Sequence, residues 1–178
     1  MNKLVMLSGV PGSGKSYFSN TLKKVKGSHV YIISSDFLRT VVTGTQTNIN
    51  EDELVFKLFY GLAKVFALDN NGIVVLDATN FSSKKRVNAI SELKPLFFET
   101  YLISFNIDKQ TVSNQNLQRE FPIPPDVLER FFDIFEKPTK EDKETFDHII
   151  TINDNDIAEA INSITGDDDQ IKLFELWP

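Results

Sequence analysis

Apolar residues fall along this chain in short unbroken runs separated by longer stretches with helical spacing. The runs are Leu4-Val5-Met6-Leu7, Val30-Tyr31-Ile32-Ile33, Ile73-Val74-Val75-Leu76, residues 97–105, and His148-Ile149-Ile150-Thr151-Ile152. Runs of this length without polar alternation predict strands buried on both faces. The spacing predicts a helix from Ser13 to Gly27, where lysines 23, 24 and 26 suit the negative helix end and the glycine suits a left-handed stop. Asn50 and Glu53 have capping-box spacing, ahead of a face formed by Leu54, Val55, Leu58, Phe59, Leu62, Val65 and Phe66. Further helices are predicted over 82–94 (stopped by Pro95), over 109–118, from Pro125, and over 155–164. This alternation predicts an α/β fold, a central parallel sheet with helices on both faces. In such folds the ligand lies at the carboxyl ends of the strands. The expected organisation is one domain over 1–164, with a helical lid at about 109–138, and an acidic tail over 165–178.

Composition narrows the functions. The 178 residues include no cysteine, which excludes a disulfide scaffold, thiolate zinc sites and cysteine nucleophiles. No apolar run approaches the ~20 residues of a membrane-spanning helix, and no secretory pattern opens the chain, so a cytoplasmic protein without membrane contact is expected. The net charge of −6 is uneven: acids outnumber bases by nine over residues 141–178, which leaves residues 1–140 at +3. The total argues against indiscriminate nucleic-acid binding, while the main body leaves room for a local site. The apolar residues within Ile171–Trp177 suggest a tail that docks on the body.

Gly9-Val10-Pro11-Gly12-Ser13-Gly14-Lys15-Ser16 fits G-x-x-x-x-G-K-[ST] without a gap, between the first predicted strand and the first predicted helix. Glycines at these positions let the backbone wrap a phosphate, and the loop amides with the helix N-terminus face its charge. Lys15 is expected to reach the β and γ phosphates, and Ser16 to offer its hydroxyl to Mg²⁺. The motif predicts a nucleoside triphosphate site with Mg²⁺, and the cofactors expected there are ATP and Mg²⁺. It leaves the phosphate acceptor open, because motors, switches and kinases share the loop.

Other strand ends carry further candidates. Asp36 and Arg39 follow the second strand; Asp36 is either a base for an attacking hydroxyl or a helix cap. Asp77 ends the third strand, either reaching Mg²⁺ through water, holding an acceptor, or serving a turn. Arg119 precedes a proline-rich break and either closes over the transferring phosphoryl group or pairs with Glu120. Lys84-Lys85-Arg86 is either a phosphate-receiving cluster or a solvated face. Phe131, Phe132 and Phe135 have core spacing, and His29 and His148 are expected to be structural or solvent-facing.

The phosphate loop, Ile32-Ile33-Ser34-Ser35-Asp36-Phe37-Leu38-Arg39, Leu76-Asp77-Ala78-Thr79-Asn80, Asn116-Leu117-Gln118-Arg119 and Glu144-Thr145-Phe146-Asp147-His148-Ile149-Ile150 follow one another in a familiar order. Together they resemble the kinase domain of 5′-OH polynucleotide kinases, phage-type and bacterial RNA-repair type, over about residues 3–152. The resemblance implies a P-loop NTPase fold with a lid. It implies Asp36 as general base, Arg119 as clamp, and Arg39, Asp77 and Asn80 around the acceptor. Gln115 stands where the family's lid often carries an arginine. The expected activity is transfer of the ATP γ-phosphate to a 5′-OH end of DNA or RNA, with any ligase or phosphatase supplied by a separate partner. A small-molecule kinase (nucleoside, sugar nucleotide or antibiotic) and a regulatory nucleotide-binding module stay open as alternatives.

Overall fold

Each of the five apolar runs becomes a strand; the three central ones are buried along nearly their whole length, while the two edge ones stay partly exposed, against the expectation of burial on both faces. The computed structural model describes residues 1–153 and 157–166. Its strands are β1 (Lys3–Ser8), β2 (Val30–Ser34), β3 (Ile73–Asp77), β4 (Glu99–Phe105) and β5 (His148–Ile152). They form one wholly parallel sheet in the order β2-β3-β1-β4-β5. The helices are α1 (Lys15–Lys26), α2 (Ser35–Thr43), α3 (Asp52–Phe66), α4 (Ser83–Leu93), α5 (Lys109–Leu117), α6 (Pro125–Ile134), α7 (Lys140–Thr145) and α8 (Ile157–Thr165). Alternate residues of a strand serve opposite faces. Leu4, Met6, Val74 and Leu76 meet α3 and α4 through Val55, Phe59, Ile90 and Leu93. Val5, Leu7 and Val75 meet α1 and α8 through Phe18, Leu22, Ile161 and Ile164. This is a P-loop NTPase fold. The crossover from β3 to β4 passes β1, so the carboxyl end of β1 is the switch point where a ligand crevice opens.

The departures from expectation have local causes. Helix α1 starts at Lys15 rather than Ser13, because the residues before it form a loop with Gly12 and Gly14 at positive φ. The capping box at Asn50 does not form. The cap position is Glu51 without a side-chain bond, and the Asn50 amide is taken by Asn48 Oδ1 at 3.0 Å. Pro95 sits in a 3-10 turn (Lys94–Leu96) that carries α4 round, so β4 begins at Glu99 instead of 97. Helix α7 had no prediction; it is opened by a reciprocal capping box between Thr139 and Asp142. The last helix includes Thr165, assigned above to the tail. The docking of Ile171–Trp177 concerns residues outside those described.

Arg86 corrects the reading of Lys84-Lys85-Arg86 as one surface cluster. Helical spacing turns Lys84 and Lys85 outward and Arg86 inward, where it is 1 % exposed. Its guanidinium forms a paired bond to Asp142, itself 0 % exposed, at 2.9 and 2.7 Å. It also donates to the carbonyls of Asn80 and Glu136 at 2.9 and 3.0 Å. Burial pushes the Asp142 carboxyl up, but bonds from Arg86, the Thr139 amide and Ser83 hold it below the usual range. The pair fastens α7 to α4, and Arg86 ties both to the loop after β3 through the Asn80 carbonyl. Phe131, Phe132 and Phe135 pack as expected, on a small cluster of Val10, Val112 and Leu128 that joins lid to phosphate loop. His29 bonds Asp69, and His148 stacks on Tyr101.

Candidate functional site

The phosphate loop follows β1 directly. Gly9 donates its amide to Thr79 O at 3.0 Å, which ties the loop's base to the residues after β3. A Cβ on Gly9 would lie 2.6 Å from Ser13 Oγ and 2.9 Å from Phe105 Cβ, so only glycine fits there. Gly12 (φ 84) and Gly14 (φ 93) supply the left-handed conformations that turn the chain into α1. Pro11 and Val10 complete the turn, whose closing bond runs from the Ser13 amide to Val10 O at 3.2 Å.

Lys15 folds back over this loop. Its Nζ donates to Gly9 O at 2.9 Å and Val10 O at 2.8 Å. Burial lowers its pKa to about 8, against the opposing pull of the Asp77 and Asp36 carboxylates. Ser16 Oγ donates to Asp77 Oδ2 at 2.8 Å. Burial pushes the Asp77 carboxyl up, while Lys15 and Ser16 counter that shift. Ser13 Oγ is buried without a protein hydrogen-bond partner inside the loop. An orphaned hydroxyl, two positive-φ glycines, a buried ammonium and a hydroxyl–carboxylate pair are a donor set that fits a polyphosphate with a hard cation. Ser16 and Asp77 are the residues that would hold Mg²⁺, which ordinarily takes one or two protein oxygens beside phosphate oxygens. Among the described residues no group of three or more His, Cys, Asp or Glu could hold a metal alone.

Asp36 lies on the first turn of α2, capped by Ser34 rather than by itself. The cap reading of Asp36 is therefore set aside. Its Oδ1 accepts from Arg39 Nη1 at 2.9 Å. Arg39 is committed on its other side as well, with Nε donating to Asp52 Oδ1 at 2.8 Å. Arg39 thus bridges two carboxylates, and its Nη1 also donates to Gln46 O at 3.4 Å. Asp52 escaped the sequence reading because its partner is thirteen positions away, across the α2–α3 connection.

Arg119 approaches from the lid, its Nη2 3.9 Å from Asp36 Oδ2, not paired with Glu120. The loop that presents it is closed by buried Asn116, whose side chain bonds both the carbonyl (2.8 Å) and the amide (3.0 Å) of Ile123. Asn80 lines the cleft, but its side-chain amide donates to Leu7 O at 2.7 Å. Its φ of 41° and the Ser8 and Arg86 bonds to its carbonyl mark it as a brace beneath the loop. The expected residues Lys15, Ser16, Asp36, Arg39, Asp77 and Arg119 all line one open cleft of about 2370 Å³. That exceeds the usual ~300–1,000 Å³ of a single-ligand pocket and leaves room for two substrates.

A family model described as an AAA domain matches residues 4–138, and the chain belongs to that family. Protein kti12 of Schizosaccharomyces pombe (strain 972 / ATCC 24843) is 25% identical over 146 residues, 76% of this chain and 52% of kti12. The chain therefore spans about half the length of that relative. The crystal structure of Chaetomium thermophilum Kti12 in complex with ADP-AlF3 superposes with a TM-score of 0.68 at 19% identity, over 91% of this chain and 97% of that one. A fungal RNA kinase superposes with a TM-score of 0.65 at 18% identity, over 100% of this chain and 45% of that one. These likenesses establish the P-loop NTPase fold. No helix among the described residues is long and apolar enough to cross a membrane.

Proposed function

We propose that this member of the AAA domain family is an ATP-dependent kinase that passes the γ-phosphate of ATP to the 5′-hydroxyl of DNA or RNA by direct in-line attack. The observation that carries the reading is the Asp36 carboxylate. One oxygen is fixed by Arg39, and the other faces Arg119 across a cleft that begins on the phosphate loop. A carboxylate so placed accepts the proton of an attacking hydroxyl as the oxygen bonds to phosphorus and the bond to the ADP oxygen breaks.

Lys15 leaves the Gly9 and Val10 carbonyls and turns its ammonium to the phosphates, where the loop amides also point. Ser16 and Asp77 would hold Mg²⁺, which when bound would offset charge on the phosphate oxygens. Arg119 meets the charge that develops on the transferring group. Asp52 and Arg39 keep Asp36 aimed. The fold likeness to a fungal RNA kinase supports a nucleic-acid acceptor.

One observation favours a second reading, a small-molecule acceptor. The cleft wall beyond Asp36 carries Asp52, Glu53, Glu92 and Glu120 against few free cations, which suits no long polyanion.

The test is transfer of labelled γ-phosphate to 5′-OH DNA and RNA strands, with 5′-phosphorylated strands, a nucleoside 3′-monophosphate and small alcohols alongside. Label confined to 5′-OH ends, and lost in Lys15→Ala and Asp36→Ala, supports the proposal. Label on small alcohols alone supports the second reading. ATP binding without transfer to any acceptor supports a regulatory module.

A further inference from the structure

Helices α3 and α4 lie side by side on one face of the sheet, yet part of each facing side lines the open cleft. On α3 these positions are Glu53, Phe56 and Tyr60, and on α4 they are Asn88 and Glu92. The spacing of three or four residues puts each set on one stripe of its helix. Between the stripes runs a groove that starts beside the Asp36–Arg39–Asp52 chain and ends where Lys64 Nζ stands 3.9 Å from Glu92.

The chemistry of this groove is specific. Phe56 and Tyr60 are partly exposed and packed on each other, with ring centroids 6.1 Å apart. Phe81 lines the mouth with Lys85 5.5 Å above its ring. Glu53 and Glu92 are carboxylates, which accept hydrogen bonds and repel phosphate. Arg39, at the groove's start, bonds two carboxylates, and Lys64, at its far end, stands by Glu92. The groove thus suits a flat ring with N–H groups on its edge and no phosphate on that side.

We propose that this groove is the subsite for the base of the nucleoside whose 5′-hydroxyl is phosphorylated. The inference rests on the 5′-hydroxyl kinase reading given above. A 5′-OH nucleoside carries no phosphate on its 5′ side, so it enters an acid-lined groove without the penalty a chain interior would meet. Aromatic faces stack on any base. Carboxylates add bonds from the exocyclic amines of adenine, cytosine and guanine, as Glu and Asp do with the cytosine amine elsewhere. Uracil and thymine have no such amine. Lys85 at the mouth is placed for the first phosphate on the 3′ side.

The experiment compares initial rates of labelled γ-phosphate transfer by the unaltered protein. The acceptors are dinucleotides with A, C, G or U at the 5′ position, the same dinucleotide with an abasic 5′ ribose, free adenosine, and adenosine 3′-monophosphate. The expected result is a kcat/KM for A, C and G on the order of ten-fold or more above the abasic acceptor, with U between them and the KM for ATP unchanged. Phe56→Ala should erase most of that difference, and Glu92→Gln should narrow the gap between the amine-bearing bases and U. The mononucleoside arms separate the two sources of the base: adenosine used as well as the dinucleotides means a free nucleoside, and dinucleotides used better mean a strand end. Equal rates for abasic and base-bearing acceptors overturn the subsite and leave the kinase reading standing. Absence of transfer to every 5′-OH acceptor overturns both. Because the central comparison varies only the acceptor, a variant that fails to fold does not affect it.

Discussion

The phosphate loop and the acceptor wall meet at Lys15 and Asp36, but they are held by different physics. The loop is fixed by its backbone. A Cβ on Gly9 would collide with Ser13 and Phe105, Gly12 and Gly14 take positive φ, the Gly9 amide bonds Thr79 O and the Ser13 amide bonds Val10 O. The acceptor wall is fixed by side chains, through the chain of bonds from Asp52 to Arg39 to Asp36 and on to Arg119 at 3.9 Å. Half of the Asp36 side chain is exposed, whereas Lys15 is 8 % exposed. The difference teaches that triphosphate recognition is built into main-chain shape. Under the proposed function, acceptor choice depends on ion pairs that a few substitutions can redirect.

Breaking the loop should have the largest effect. Lys15→Ala removes the ammonium from the phosphates, so both ATP affinity and transfer should fall, the transfer rate by about 10³-fold. Calorimetry with ATP and the labelling assay together check this; retained affinity would move phosphate binding away from Lys15. Next in size is the brace beneath both halves. Arg86→Ala leaves Asp142 buried and unpaired, which should cost about 3–5 kcal/mol of stability in urea unfolding. A loss under about 1 kcal/mol would show that water or a neighbour replaces the guanidinium.

The acceptor wall should respond differently. Asp52→Ala frees one side of Arg39 and should slow single-turnover transfer by about ten-fold while ATP affinity stays within two-fold, and the effect should vanish in an Arg39→Ala background. Additive losses would place Asp52 outside the chain that aims Asp36. The smallest effect is on pH. With burial holding Lys15 at about 8, its ammonium persists below that pH and is lost as pH rises through it. ATP affinity should be level up to about pH 8, then weaken, approaching ten-fold per unit. A level profile to pH 9.5 would show that bound phosphate holds the proton on Lys15.

Legibility in the sequence follows the same division. Gly9 to Ser16 could be read because its contacts are local and its residues contiguous. The three central strands could be read because burial on both faces leaves unbroken apolar runs. Asp52 could not, since its partner Arg39 lies across a connection that no spacing rule spans. Arg86 was misread as surface because its partner Asp142 is 56 positions distant and itself in the short helix that the pattern missed. Asn80 had a recognisable neighbourhood, but its bond to Leu7 O is one that only the fold reveals. Asp36, Arg39 and Asp77 were named from strand ends, the place where parallel sheets gather their chemistry, Lys15 and Ser16 from the phosphate-loop motif, and Arg119 from the proline-rich break that follows it.

The account's central claim is that Asp36 serves the chemical step and Lys15 serves the phosphates. It is tested most directly by single-turnover transfer of labelled γ-phosphate to a 5′-OH dinucleotide by Asp36→Asn, with ATP affinity measured on the same protein. The account predicts a rate lower by about 10²–10⁴-fold and an ATP affinity within a few-fold of the unaltered protein. An unchanged rate, or a loss of ATP binding that accounts for the whole defect, would contradict it.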